Sequence, residues 1–230
     1  MKTYHETFDD GPGGWFGWLD NARGPKPLER TESGVISRSP WWIDYNHAPP
    51  GAGYMHLLFM LLTSGQPGEH QREVSGENRF VKGGFGTDFT NAELTVRLKG
   101  ELLGRDTQLL LLCQGVHQGI CTGWLLTGQP ITVTPDWSEQ TITAVADDSA
   151  WTCLGSRHDR ADYYGRTPLR TVLSDVNADI LLVLFPLDIA PMGVLNGDPH
   201  LLRPEKDYPV WRSRLPEGYV LLDDVRIQFP

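Results

Sequence analysis

Apolar and polar residues alternate without a break in the stretch AELTVRLK, residues 92–99. Alanine, leucine, valine and leucine take every second position, while charged residues or threonine fill the positions between them. Successive side chains of a β-strand point to opposite faces, so this pattern predicts a strand with one buried face and one wet face. We therefore expect a sheet that covers a core on one side.

Short apolar runs bounded by turn residues predict further strands along the chain. These runs are GVIS (34–37), YMHLLFMLL (54–62), LLLLC (109–113), ICTGWLL (120–126), TITAV (141–145), ADILLVLF (178–185) and GYVLLDDVRI (218–227). The opening FDDGPGGWFGW (8–18) indicates a strand and a loop. The polar segment 64–78 indicates either a long loop that leaves the sheet, which we call an excursion, or a mobile lid. Apolar residues at helical spacing after Thr167 and Pro168 predict one short helix near 168–177.

The composition favours an all-β chain. Its 25 glycines and 17 prolines exceed the average share of about 12% and exclude long helices over most of the length. Many short strands with one late helix predict a two-sheet antiparallel β-sandwich of jelly-roll type, a single domain over residues 1–230. The net charge of −9 argues against nucleic-acid binding. No apolar run approaches the ~20 residues of a membrane helix, so no membrane partner is expected.

Three cysteines, Cys113, Cys121 and Cys153, cannot all pair within one chain. Cys113 ends one apolar run and Cys121 lies in another, which favours buried thiols in strands, while a disulfide between these two is the alternative. The first residues lack the apolar stretch of a secretory signal. As written, the chain is expected in the cytoplasm, and it would be secreted if a signal had been lost.

Two loops combine aromatic and hydrogen-bonding side chains. The first is WWIDYNH (41–47), which contains Trp41, Trp42, Asp44, Tyr45, Asn46 and His47. Aromatic rings stack on sugar rings while carboxylates and amides bind hydroxyls, so this loop predicts a carbohydrate site. The alternative is a pair of core tryptophans that anchor a loop. Adjacent strand residues face opposite ways, so at most one of the two tryptophans would face a ligand if the strand extends that far.

The second loop, RHDRADYYGR (157–166), contains Arg157, His158, Tyr163 and Tyr164. A solvated surface loop explains this composition without a function. As a site, the loop offers arginines for a carboxylate and a His/Tyr pair for proton transfer at a uronic acid. If His47 met Tyr163 or Tyr164 over one sheet face, the pair would suit a polysaccharide lyase.

The two ends of the chain resemble the galactose-binding-like β-sandwiches, which include many carbohydrate-binding modules. The resemblance rests on FDDG (8–11) with Trp15 at the start and on LDDVRI (222–227) at the end. The stretch 151–184, in which LRTVLSDV (169–176) leads into a buried strand, is similar to the late part of the laminin type IV jelly rolls. The resemblance implies sugar binding or an accessory role, although such sandwiches host many functions.

The resemblance also implies a structural calcium ion shared by the N-terminal loop and the last strand. The matching positions are Asp9, Asp10, Asp223 and Asp224. Asp10 stands where these modules commonly have a glutamate. Calcium prefers carboxylate and carbonyl oxygens. The alternative is that Asp223 and Asp224 alternate around the strand, one in solvent and one bonded to the N-terminal loop.

These observations predict non-catalytic recognition of an oligosaccharide or polysaccharide. The first alternative is an enzyme on the same scaffold, a glycoside hydrolase or a uronate lyase that uses His47, His158 and Tyr163 or Tyr164. The second is a protein-interaction domain, which buried tryptophans would favour. The sequence contains no GxSxG, HExxH or P-loop motif.

Overall fold

Fourteen strands and three short helices form over the residues that the computed structural model describes, which are 2–21, 23–47, 51–157, 160–189 and 214–230. The strands are β1 (Thr3–Glu6), β2 (Gly17–Asp20), β3 (Gly24–Lys26), β4 (Glu29–Thr31), β5 (Gly34–Arg38), β6 (Ile43–Asp44), β7 (Tyr54–Leu62), β8 (Glu93–Leu103), β9 (Gln108–His117), β10 (Ile120–Leu125), β11 (Ser138–Thr143), β12 (Thr152–Cys153), β13 (Asp179–Leu187) and β14 (Glu217–Gln228). The helices are α1 (Glu69–Ser75), α2 (Arg79–Lys82) and α3 (Leu169–Ser174).

The strands form two six-stranded antiparallel sheets and one small ribbon. The first sheet has the order β11-β8-β14-β5-β4. Strand β1 pairs with the end of β14 that β5 does not reach, where Thr3 lies opposite Gln228. The second sheet has the order β12-β10-β9-β13-β7-β6, and β2 and β3 form the ribbon. Phe16, just before β2, exchanges both backbone hydrogen bonds with Met60 of β7. The ribbon is thereby fixed beside the second sheet.

The main core lies between the two sheets. Leu94, Val96 and Leu98 of β8 face it, which is the apolar face that the alternating stretch predicts. Alternate residues of β9 and β13 close it from the other side, among them Leu111 and Leu182. A second apolar cluster covers the opposite face of the second sheet. Both faces of the second sheet are therefore covered, which explains why its central strands are apolar throughout.

The predicted all-β sandwich of two antiparallel sheets is confirmed, and so is the late helix. Helix α3 buries Leu169, Val172 and Leu173 in the main core. Helices α1 and α2 were not predicted, and α1 lies within the segment 64–78 that the sequence indicates as an excursion. No helix in the described part of the chain is long and apolar enough to cross a membrane.

All three cysteines are buried and free, as expected for strand thiols. Burial raises the pKa of the Cys113 thiol far above its usual range and that of Cys121 to about 12. Both thiols therefore stay protonated at neutral pH, and a protonated thiol is a poor nucleophile.

Candidate functional site

A cleft of about 390 Å³ lies on the face of the second sheet that points away from the first sheet. We call it the central cleft. Three adjacent strands form its floor, with Leu57 and Met60 from β7, Gln114 from β9, and Asp179 and Leu181 from β13. Its walls come from β2, from β6 and its flanks, and from the chain after β12. The wall residues are Trp18, Asn21, Trp42, Asp44, Asn46, His47, Arg157 and Tyr164.

Buried hydrogen bonds fix the side chains of the first wall. The Asp44 carboxylate accepts a hydrogen bond from the Asn46 backbone N–H at 2.8 Å, and its other oxygen lies 3.3 Å from Nδ1 of His47. The amide of Asn21 donates to Oδ1 of Asn46 at 2.9 Å. Asp44, Asn46 and His47 are all buried, so the turn after β6 presents them in one arrangement.

The opposite wall is formed by Tyr164 and Arg157. The Cys121 backbone N–H donates to the carbonyl of Tyr163 at 2.7 Å, and the Gly165 N–H donates back to Cys121 at 3.1 Å. Tyr164 thus lies along the edge of β10. The Arg157 guanidinium sits 4.2 Å from the centre of the Tyr164 ring. Burial raises the pKa of Tyr164 to about 12, although Arg157 opposes the increase.

The wall after β6 and the wall of Tyr164 and Arg157 come together at His47 and Tyr164. Their ring centres lie 6.0 Å apart with the planes nearly perpendicular, at 89°. The structure therefore brings together the two loops that the sequence singles out, more than 100 residues apart along the chain. Tyr163, which is beside Tyr164, does not line the cleft, and the Arg160 guanidinium covers its ring at 4.5 Å. His158 lies outside the described residues.

The sequence motifs single out none of the floor residues, and they also miss Trp18 and Asn21 in the walls; among these residues Asp179 is the ionisable one. It begins β13, opposite Gln114 of β9, and only 8% of it is exposed. Its Oδ1 is buried and accepts no hydrogen bond from any described residue. Burial raises the pKa of Asp179 to about 7. This carboxyl group therefore exchanges its proton near neutral pH, a property common at functional sites.

Two indoles in the walls also have buried N–H groups without partners. Neither Nε1 of Trp18 nor Nε1 of Trp42 finds an acceptor within the part of the chain that the structure describes. Their ring centres lie 6.4 Å apart. His56 is buried against Trp41, with ring centres 5.8 Å apart, and its Nδ1 donates to the Trp42 carbonyl at 2.9 Å, which fixes that backbone. Burial lowers the pKa of His56 to about 4, so it stays neutral.

Trp41 and Tyr45 do not line the cleft, unlike their neighbours in the loop. Trp41 is 2% exposed in the main core, where its Nε1 donates to Ser37 at 2.9 Å. Trp42, 4% exposed, belongs to the cluster on the other face. Tyr45 is buried edge-on against Trp42, with ring centres 5.8 Å apart. The two tryptophans thus face opposite sides, although β6 begins only at Ile43 and neither tryptophan is part of the strand.

The terminal aspartates do not fit the calcium site that the resemblance implies. Asp223 pairs with Arg97, and Asp224 bonds His5 at 2.5 Å and Arg226 at 2.9 Å. The N-terminal pair, Asp9 and Asp10, is exposed, and Asp9 accepts from Thr7. Within the described ranges, no group of three or more His, Cys, Asp or Glu residues is arranged to hold a metal. Arginine side chains already compensate the charges of Asp223 and Asp224.

No protein-family model, curated protein sequence or solved structure matches this chain. The function must therefore be argued from the central cleft itself. The cleft combines two indoles, two carboxyl groups, three carboxamides, an imidazole, a phenol and a guanidinium. This set can stack on an apolar ring face and can donate or accept several hydrogen bonds.

Proposed function

We propose that this chain binds a saccharide in the central cleft. The observation that supports this most directly is the set of buried polar atoms there that lack partners, Nε1 of Trp18, Nε1 of Trp42 and Oδ1 of Asp179. Buried polar groups are normally paired, and an unpaired one costs about 1–3 kcal/mol. A sugar hydroxyl both donates and accepts, so a hydroxyl that reaches one of these atoms would satisfy either an indole donor or a carboxyl acceptor.

The apolar floor supports the same proposal. Leu57, Met60 and Leu181 lie below the indoles and would contact the C–H face of a sugar ring. Arg157 beside Tyr164 would bind a carboxylate if the sugar is a uronic acid. Glycan binding on an array, followed by calorimetry with each glycan that binds, tests the proposal. The absence of binding to any glycan would refute it.

Two tryptophan variants make the test specific to the cleft. Trp42→Phe removes an N–H that has no partner in the fold, so we expect affinity to fall about two- to tenfold, the value of one hydrogen bond. Trp151→Phe is the matched control, because Trp151 is equally buried and its Nε1 donates to the Val145 carbonyl at 2.9 Å. The control should lose more stability than Trp42→Phe does, and its affinity should equal that of wild type. Equal affinity of Trp42→Phe and wild type would contradict the role of the indole.

Catalysis in the same cleft is the second candidate, because His47, Tyr164 and Arg157 lie together. In a uronate lyase, a base takes the proton beside the carboxylate, the C4–O bond breaks, a C4=C5 double bond forms and the leaving oxygen gains a proton. His47 and Tyr164 would exchange these protons while Arg157 holds the carboxylate. A glycoside hydrolase would instead use two carboxyl groups, and Asp44 and Asp179 share the cleft.

A turnover assay separates the two candidates. Every polysaccharide that binds is incubated with the protein, and reducing ends and unsaturated sugars are measured. If His47 is a general acid or base, His47→Ala should reduce turnover by about 10²–10⁴ with affinity retained. Binding without product would favour recognition alone.

Protein interaction is the third candidate, and the burial of both loop tryptophans favours it. Another observation opposes it. Leu103, 52% exposed, is the one large apolar side chain that is exposed among the described residues. Protein-docking surfaces usually present a contiguous apolar patch, and a single leucine does not form one.

A further inference from the structure

A second concave site lies beside the central cleft. Its volume is about 700 Å³, and we call it the side cavity. It is formed by the turn between β9 and β10, by the chain after Tyr164, and by the first turn of α3. None of the described residues that line it is acidic, and its one always-charged side chain is Arg166. The side cavity is therefore suited to neutral or anionic groups.

Tyr164 is the wall that the two sites share. Backbone hydrogen bonds between Cys121 and the residues on either side of Tyr164 hold it along β10. One side of this wall borders His47 and Arg157, and the side cavity with Arg166 and His117 is on the other. The two sites are thus neighbours that share one aromatic residue.

One residue that lines the side cavity, His117, also has an unsatisfied polar atom. Nε2 of His117 is buried and has no hydrogen-bond partner within the described ranges. Gln118, Arg166 and Thr171 are exposed in the same cavity. These side chains offer hydrogen-bond donors and acceptors. The side cavity therefore shares hydrogen-bonding groups with the central cleft, although neither an indole nor a carboxyl group of a described residue lines it.

We propose that the ligand is an oligosaccharide chain that spans both sites and passes over Tyr164, with at least one sugar unit in each. This inference rests on the proposed saccharide binding and adds the length of the ligand. A single sugar would use the central cleft alone. A chain would gain contacts in the side cavity, so affinity should rise with length.

Length series test the inference directly. Oligomers of one to six units from galacturonan, alginate, xylan and cellulose are titrated by calorimetry. We expect the hexamer of the series that binds to exceed its disaccharide by about tenfold in affinity, the gain from one or two further hydrogen bonds. The four series also distinguish acidic from neutral chains.

A blocking variant assigns the gain to the side cavity. Thr171→Trp places a large side chain in the cavity from an exposed position of α3, and Arg170→Trp adds the same side chain at an exposed neighbour that does not line it. Thr171→Trp should bind the hexamer no better than the disaccharide, while Arg170→Trp should behave as wild type. Thermal unfolding of both variants confirms that they fold.

Two results would overturn the inference. Equal affinity for short and long oligomers in wild type, or a length gain that survives in Thr171→Trp, would limit the ligand to the central cleft and leave saccharide binding itself intact. Absence of binding to every series at every length would refute saccharide binding. It would thereby also refute the proposal of an oligosaccharide that spans both sites.

Discussion

Replacement of Asp179 by asparagine should change how stability depends on pH. The pKa of this carboxyl group is raised by burial from 3.8 to about 7. Between these values the folded state keeps a proton that the unfolded state releases, so the free energy of unfolding is highest below about pH 4 and falls as the pH rises to about 7. Since one pKa unit corresponds to about 1.4 kcal/mol, this one group lowers wild-type stability by about 4 kcal/mol over the range.

Asparagine has nearly the shape of the protonated acid and does not ionise. Asp179→Asn should therefore resemble wild type near pH 4 and be more stable by about 4 kcal/mol near pH 8. Urea unfolding followed by tryptophan fluorescence at several pH values measures both profiles. Asp136→Asn, at an exposed loop position, is the control and should parallel wild type. Parallel profiles for Asp179→Asn and wild type, to within about 1 kcal/mol, would refute the argument that burial leaves this carboxyl group without compensation.

Three further outcomes are expected. Titration of thiols after denaturation without reductant should find three free groups, because all three cysteines are buried and free, and a count of one would show a disulfide. Treatment with a chelator, with and without added calcium, should leave the melting temperature unchanged, because arginine and histidine side chains pair with the aspartates of the last strand. A lower melting temperature on chelation would support the calcium site after all. Gly34→Ala should lower the free energy of unfolding by about 1–3 kcal/mol or more, since the φ of Gly34 is +136° and a Cβ there would lie 2.2 Å from the Leu222 carbonyl oxygen. Gly24 has a φ of +73° and open space around it, so Gly24→Ala should lose only the cost of its backbone conformation. Equal losses in the two alanine variants, measured by urea unfolding, would contradict the steric part of this argument.

The strands were predictable where side-chain chemistry differs between their two faces. Strand β8 shows the clearest alternation because its outer face is wet and its inner face lies on the core. Strands β9 and β13 are covered on both faces, so their apolar runs were visible while their orientation was not. Helix α1 was missed because six of its seven residues are polar and only Ser75 is buried, so it has no apolar stripe to reveal its period.

The site was predictable in composition and unpredictable in assembly. The two loops stood out by their aromatic and polar residues, but the contact between His47 and Tyr164 depends on β6 and β10 lying in the same sheet. Trp41 and Trp42 are chemically identical, and only the path of the backbone before β6 assigns one to the core and the other to the cleft. Asp179 was missed as one polar residue in an apolar strand. The available signal was a carboxyl group in a strand that is buried on both faces. Burying such a group is costly unless a hydrogen bond or an opposite charge compensates it, so its presence indicates a binding partner or a functional role.

The pairing of β1 with β14 determines how this sandwich would respond to mechanical force. The two strands are antiparallel, and Thr3 lies opposite Gln228, so the outermost residues of both strands emerge side by side at one end of the first sheet. Tension applied there would load one residue pair at a time and peel β1 away from Gln228 towards Val225. The long pairing of β14 with β8 would bear load only after that release. A tether on these two strands would therefore detach Tyr4 and Glu6 from the core at low force while the sheet that forms the cleft keeps its strand order.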